Sequence, residues 1–208
     1  KLDDRFFARY LWRWRRNPYV ELMNVITIKN ELLQSATYFI GDYLVDCGGS
    51  DRIFESLEGR DLNGIFLTHC HQDHVYGLEK VLEKFQDAKI YCSQKTFEGL
   101  KDPMLNLSYI MPDYDFTFNH DENVVILSEG ITKIDDLSVE VLSTIGHSED
   151  CISLIIEDNI FTGDSHIPFA KVFTKWPTSD KVLAKDSEER LLRVIEERNL
   201  NVYPGHWQ

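Results

Sequence analysis

Thr68-His69-Cys70-His71-Gln72-Asp73-His74 places three imidazoles and a carboxylate within six residues, 69 to 74. Packing gives no reason for that density, because each of these side chains carries a polar atom that burial penalises. Imidazole nitrogen and carboxylate oxygen are instead the ligands preferred by Zn²⁺ and related cations. The short apolar run Ile65-Phe66-Leu67 precedes the cluster and reads as a fully buried strand that delivers the chain into it. A helix with Leu78, Val81, Leu82 and Phe85 on one face is expected over 76–85, followed by a returning strand at Lys89-Ile90-Tyr91-Cys92.

Outward toward the N-terminus, Asn24–Ile28 alternates as a strand does. Ala36–Ile40 and Tyr43–Asp46 flank Gly41-Asp42, a two-residue hairpin turn. Ser50, after Cys47-Gly48-Gly49, is placed to cap a helix running through about Leu57. Outward toward the C-terminus, residues 101–120 lack periodicity and carry Pro103, Pro112 and scattered aromatics; such segments often cover a site. Strands are then expected at Val124–Leu127, Ser138–Ser143, Ile152–Glu157 and Ile160–Thr162, with the last two joined by a turn at Asp158-Asn159. A charged amphipathic helix over 179–198 has Leu183, Leu191, Leu192 and Ile195 as its apolar positions, and Val202-Tyr203 ends the series as a short strand. Strands interspersed with helices predict an α/β architecture, with sheets covered by helices.

Three further strand ends carry ligand-type residues directly behind a glycine: Gly146-His147, Gly163-Asp164 and Gly205-His206. Glycine lets the backbone turn sharply and leaves room beside the site. Five of the seven histidines fall in these four motifs. Together with Asp73 and Asp164 they exceed the needs of one tetrahedral ion and suit two, with one carboxylate bridging. Taken alone, Asp73 reads as a helix cap, Asp164 as a turn residue and His206 as a terminal histidine. In this set each reads as a ligand. Cys70 alternates away from His69 and His71 in extended backbone and reads as a buried neighbour. His120, in Phe118-Asn119-His120-Asp121-Glu122, reads as a solvated histidine.

The 208 residues are enough for one sizeable domain, and a composition of 43% hydrophobic and 27% charged residues is that of a globular protein. A net charge of −13 argues against a nucleic-acid partner. No stretch approaches the ~18–20 apolar residues of a membrane span, so no stable membrane insertion is expected. The four cysteines form no CxxC pair and read as reduced thiols in a cytoplasmic protein. Residues 1–22 differ from the rest: Phe6 to Arg16 is aromatic and basic, and it lacks the continuous apolar core of a secretory signal. This N-terminal extension reads as a short helix packed on the domain or on a neighbouring subunit, and a homo-oligomer stays open. The remaining residues, 23–208, form the domain.

HxHxDH followed in order by His147, Asp164 and His206 resembles the signature of the metallo-β-lactamase fold superfamily, over roughly residues 23–208. The resemblance implies a four-layer αβ/βα sandwich with the site at one edge between its sheets. It implies that His69, His71 and His147 hold one metal, that Asp73, His74 and His206 hold a second, and that Asp164 bridges them. Two divalent ions are expected, Zn²⁺ first, with Fe or Mn as alternatives. The chemistry expected is hydrolysis of a small-molecule substrate by a hydroxide bridging the metals, with Asp73 as the catalytic proton-transfer group.

Within the superfamily the chain is most similar to single-domain glyoxalase II-like enzymes, so a thioester or ester is the first substrate class, as in hydroxyacylglutathione hydrolase. Two departures stand out: nothing follows Gln208 to match the helical C-terminal extension of those enzymes, and Ser165–Trp176 lacks their Gly-Arg-containing stretch. Lactones or β-lactam amides, phosphodiesters as in the nuclease branch, and oxidation at a single iron as in persulfide dioxygenase relatives form the alternatives, together with a protein that only houses metal. His166, just beyond Asp164, and Lys171 are the candidates for substrate contact, with surface placement the competing reading of both Lys171 and Lys175.

Overall fold

The computed structural model describes residues 24–208 apart from 112 and 115; the expectations for residues 1–22 lie outside the described residues. Strands β1 (Val25–Lys29), β2 (Ala36–Ile40), β3 (Tyr43–Val45), β4 (Gly64–Phe66), β5 (Lys89–Cys92) and β6 (Val124–Ile126) form one sheet in that order. β1, β2 and β3 are antiparallel neighbours; β3 through β6 pair in parallel. The second sheet runs β11-β10-β9-β8-β7, from β7 (Gly130–Ile134), β8 (Leu137–Ser143), β9 (Ile152–Ile156), β10 (Asn159–Gly163) and β11 (Asn201–Pro204). Only β10 and β11 are parallel there.

The alternation of side chains along each strand divides the interior into layers. In β4, Ile65 faces a helix-side core with Leu44, Ile90 and Phe39, while Phe66 faces the core between the sheets with Tyr38, Val139, Leu154 and Phe161. Truncating Phe66 to alanine would cost about 3–5 kcal/mol. Helices α1 (Asp51–Ser56), α2 (Gln72–Val75), α3 (Leu78–Lys84) and α4 (Gln94–Leu100) belong to the first layer, where Ile53, Val75, Leu78, Leu82 and Leu100 join the helix-side core. Helix α5 (Lys181–Arg198) covers the second sheet through Leu191, packed with Leu142, Ile155 and Ile160. The result is the expected αβ/βα sandwich.

Several local expectations are corrected. The expected helix over 76–85 is present as α3, starting at Leu78, and Tyr76-Gly77 separates it from the unforeseen α2; a Cβ on Gly77 would lie 2.3 Å from the Gly49 carbonyl oxygen. The Ser50 hydroxyl caps nothing; it bonds Asp51 Oδ1 instead. The β9–β10 turn sits at Glu157-Asp158, one residue earlier than expected, with Ile156 pairing Asn159 and Glu157 in left-handed backbone. In α5, Leu183 and Leu192 point outward, and Ala184, Ser187 and Leu191 form the buried face. Helix α4 and strand β7 have no counterpart in the sequence reading.

Residues 205–207 are tied to residues 29–36. Ala36 N–H donates to the Gly205 carbonyl at 2.7 Å, Trp207 Nε1 donates to the Asn30 carbonyl at 3.1 Å, and Lys29 lies over the Trp207 ring. This closure sets the loop after β11 against the 30–35 turn.

Candidate metal centre

Parallel strands present their C-terminal ends on one side, and the functional loops emerge there. The His69–His74 segment leaves β4 between its parallel neighbours β3 and β5. His147 lies in the loop from β8 to β9, and Asp164 and His206 follow the parallel pair β10 and β11, side by side. All seven sequence-predicted ligands converge at this edge. Their ligand atoms form three groups, His69/His71/His147, His69/His74/Asp164 and Asp73/His74/His206, with all atoms of a group within 4.8 Å of one another. Asp164 stands between the outer two: its oxygens are 3.4 Å from His74 Nε2, 3.4 Å from His147 Nε2 and 3.2 Å from His206 Nε2.

Four of the five imidazoles are oriented by a partner on Nδ1, whereas His71 lies with its Nδ1 3.0 Å from His147 Nε2. His74 Nδ1 lies 2.9 Å from Asp46 Oδ2, His147 Nδ1 lies 2.8 Å from the Phe173 carbonyl, and His206 Nδ1 lies 3.0 Å from the Leu33 carbonyl. His69 Nδ1 lies 3.0 Å from Thr68 Oγ1, which in turn donates to Asp46 at 2.8 Å. These contacts place the proton on Nδ1 and turn Nε2 of the four rings toward the other ligands, the arrangement by which outer partners fix ligating histidines. Nε2 of His69 and His74 and Oδ1 of Asp164 are buried without a hydrogen-bond partner. Buried polar atoms are ordinarily satisfied. Orphans of this kind, all facing one point and all of ligand chemistry, fit a pair of divalent cations.

Electrostatics agree. Burial, reinforced by the neighbouring rings, holds His69 and His71 well below the usual imidazole range, so both are neutral and ready to ligate. Burial opposes protonation of His74, but Asp73 and Asp164 outweigh it and raise its pKa well above 6.5. Asp164 is likewise opposed by burial yet driven well below the carboxylate range by His74 and His147. Burial pushes Asp73 up. Without cations, His74 therefore carries the positive charge that the carboxylates demand.

The three glycines behind the ligands act as expected; Gly163, at φ +50°, would place a Cβ 2.7 Å from Thr68 Oγ1. A Cβ on Gly205 would lie 2.2 Å from Asp164 Oδ1, and Gly146, at φ +137°, would drive a Cβ to 2.1 Å from the Ala184 nitrogen.

A sequence profile described as the Metallo-beta-lactamase superfamily matches residues 30–206. The chain belongs to that superfamily. A relative in Methanocaldococcus jannaschii named probable metallo-hydrolase is 30% identical over 173 residues, covering 78% of this chain and 81% of the relative. A Vibrio vulnificus protein named hydroxyacylglutathione hydrolase 1 is 26% identical, over 67% of this chain and 50% of its own length. Among solved structures, BLEG-1 B3 metallo-beta-lactamase superposes with a TM-score of 0.74 at 23% identity, covering 89% of this chain and 92% of that one. A di-iron-bound form of TTHA1623 does so with a TM-score of 0.73 at 22% identity, covering 88% and 92%. These structural likenesses speak to the superfamily fold.

A cleft of about 400 Å³ opens over the centre. His71, Asp73, His147, Asp164 and His206 form its floor, and Leu33, Leu107, Ile110, Met111, Phe173 and Trp176 its walls. The irregular 101–120 segment and the 165–176 segment thus do cover the site. The two proposed substrate contacts do not reach it. His166 turns away to Glu188 on α5 at 3.1 Å, and Lys171 is exposed and outside the lining. His120 is not freely solvated either; it lies 3.4 Å from Glu79 and edge-on to Phe118. Cys70 is a buried neighbour as expected, its thiol pushed well up by burial and by Asp150 and its Sγ 3.5 Å from the Leu105 carbonyl.

Two positioning acids escape the sequence reading. Asp46, in left-handed backbone after β3, accepts from Thr68 N–H at 2.8 Å as well as from its hydroxyl and His74. Asp150 accepts from Cys70 N–H at 2.7 Å and from the Thr96 and Ser148 hydroxyls, bracing the ligand loop. The only sequence signal for either is its place beside a strand end or ligand motif.

Proposed function

We propose that this chain is a metal-dependent hydrolase of a small-molecule thioester or ester that works with two divalent cations. The observation that carries the reading is the convergence of two ligand groups on one cleft, with Nε2 of His69 and of His74 buried there without a hydrogen-bond partner. His69, His71 and His147 would hold one ion and Asp73, His74 and His206 the other, with Asp164 between. When bound, such a pair lowers the pKa of a water held at the site and polarises the scissile carbonyl. Asp73, buried against His74 and His206 at 3.5 and 3.6 Å, accepts the proton of the attacking water and returns it to the leaving sulfur or oxygen. One water is consumed, and a carboxylic acid and a thiol or alcohol are released. The apolar walls keep bulk water from the site.

Hydroxyacylglutathione, named for the Vibrio relative, is a thioester, which supports that class first. No lysine or arginine lines the cleft among the described residues, and the chain carries −13, which speaks against phosphodiesters of nucleic acid. Zinc is the first metal to test, and the di-iron form of TTHA1623 keeps iron in the comparison. The experiment is metal quantification on purified protein followed by thioester, lactone and phosphodiester panels. Two metal equivalents with thioester or ester cleavage, lost in His69→Ala, is the expected result. Cleavage intact in His69→Ala would overturn the mechanism, and a single iron with O₂ consumption would replace hydrolysis by oxidation.

A further inference from the structure

The walls of the cleft are more specific than its floor. Leu33, Leu107, Ile110, Met111, Phe173 and Trp176 are all apolar, and no lysine or arginine among the described residues joins them in the lining. Phe173 and Trp176 pack with ring centroids 5.0 Å apart, and Trp176 stands edge-on to His71 at 6.3 Å. Leu33, Ile110 and Phe173 remain 58%, 42% and 44% exposed, a degree of apolar exposure at a pocket mouth that marks a surface awaiting an apolar ligand.

Backbone conformation singles out two of these residues. Leu33 has φ 48° and Leu107 has φ 64°, both in the left-handed region that a bulky residue rarely adopts. They reach the cleft from separate loops, one before β2 and the other between α4 and β6. Glycine or asparagine would hold either conformation with less strain. Two leucines kept in strained backbone at one cleft indicate that their side chains are used there.

We infer that the cleft selects a neutral, apolar substrate: a thioester with an alkyl or aryl acyl group and a thiol portion without charged recognition groups. This deepens the hydrolase reading above and rests on it. It runs against a glutathione thioester, whose two carboxylates would lie among apolar walls with no lysine or arginine of the described residues to pair with. Leu33 and Leu107 are the specificity-determining residues, gripping the acyl chain from the two sides.

The test compares purified full-length, metal-loaded protein on N-acetylcysteamine thioesters from acetyl to octanoyl and on glutathione thioesters of the same acids. The expected result is a rise in kcat/KM of about two- to fourfold per methylene, with the N-acetylcysteamine series at least about tenfold ahead of the glutathione series. Leu33→Asn should flatten the rise without lowering the melting temperature, which a merely structural leucine would not do. Calorimetric binding of the matching ketone analogues, in which CH₂ replaces sulfur, reads the cleft independently of turnover. A flat series in binding, or a preference for glutathione compounds, overturns the inference. A rising binding series without thioester cleavage overturns the thioester reading and leaves the apolar selectivity standing.

Discussion

The carboxylate of Asp46 lies 2.9 Å from Nδ1 of His74 and also holds Thr68, whose hydroxyl contacts His69. One buried acid therefore orients two ligating rings. Asp46→Asn should lower metal affinity about 10–100-fold, and it should destabilise the metal-free protein by about 1–3 kcal/mol because a buried donor loses its acceptor. Competitive chelator titration and denaturant unfolding measure the two effects. Unchanged affinity would show that the rings hold their orientation without it.

The ligand groups separate by mutation. His147→Ala removes a ligand of the three-histidine group alone, and His206→Ala one of the Asp73/His74/His206 group alone. Each variant should keep about one metal equivalent of two while kcat/KM falls about 100-fold or more. Equal loss of both equivalents in either variant would mean that the ions bind only as a pair.

Metal uptake should release protons. His74 has its pKa raised well above 6.5, so the metal-free protein at neutral pH carries a proton that a cation on Nε2 must displace. Affinity should rise about tenfold per pH unit for one displaced proton, and level off above the metal-free pKa of His74. The same raised pKa stabilises the metal-free fold below 6.5, and this contribution is lost as pH climbs through the folded value. Calorimetry in two buffers of different ionisation enthalpy reads the proton count.

Gly205→Ala places a methyl where Asp164 Oδ1 stands 2.2 Å away and His74 Cε1 2.8 Å away. The expected outcome is retained secondary structure with metal affinity lowered about 10–100-fold. Circular dichroism alongside metal quantification distinguishes this from global unfolding.

His166→Ala should leave kcat/KM within about threefold while costing about 1 kcal/mol, since His166 contacts Glu188 and not the cleft. A large loss in kcat/KM with stability unchanged would return His166 to the substrate.

The ligands were legible because their chemistry is unsuited to any other buried role, and because His69–His74 lie in one contiguous run. The strands that deliver them, such as Ile65-Phe66, announce themselves by unbroken hydrophobicity. Asp46 gave no such signal: it reads as the last residue of the strand Tyr43–Asp46, and its partners Thr68 and His74 are distant in sequence. Helix α4 was hidden by its own Gly99, which a close approach to Cys70 requires; a Cβ there would lie 2.4 Å from Sγ. Strand β7 was hidden by exposure, with Ile131 on the surface. His166 misled because nearness to Asp164 along the chain does not fix the direction of a side chain beyond a turn.

The hydrogen bond from His206 to the Leu33 carbonyl spans 173 positions of sequence. The three-histidine group has all its members by residue 147, whereas the second group needs residue 206 and its return to the 30–35 turn. A chain that ended between residues 147 and 206 would keep one ligand group whole and lack a member of the other. The segment around His206 thus ties completion of the second ligand group to closure of the fold onto the 30–35 turn.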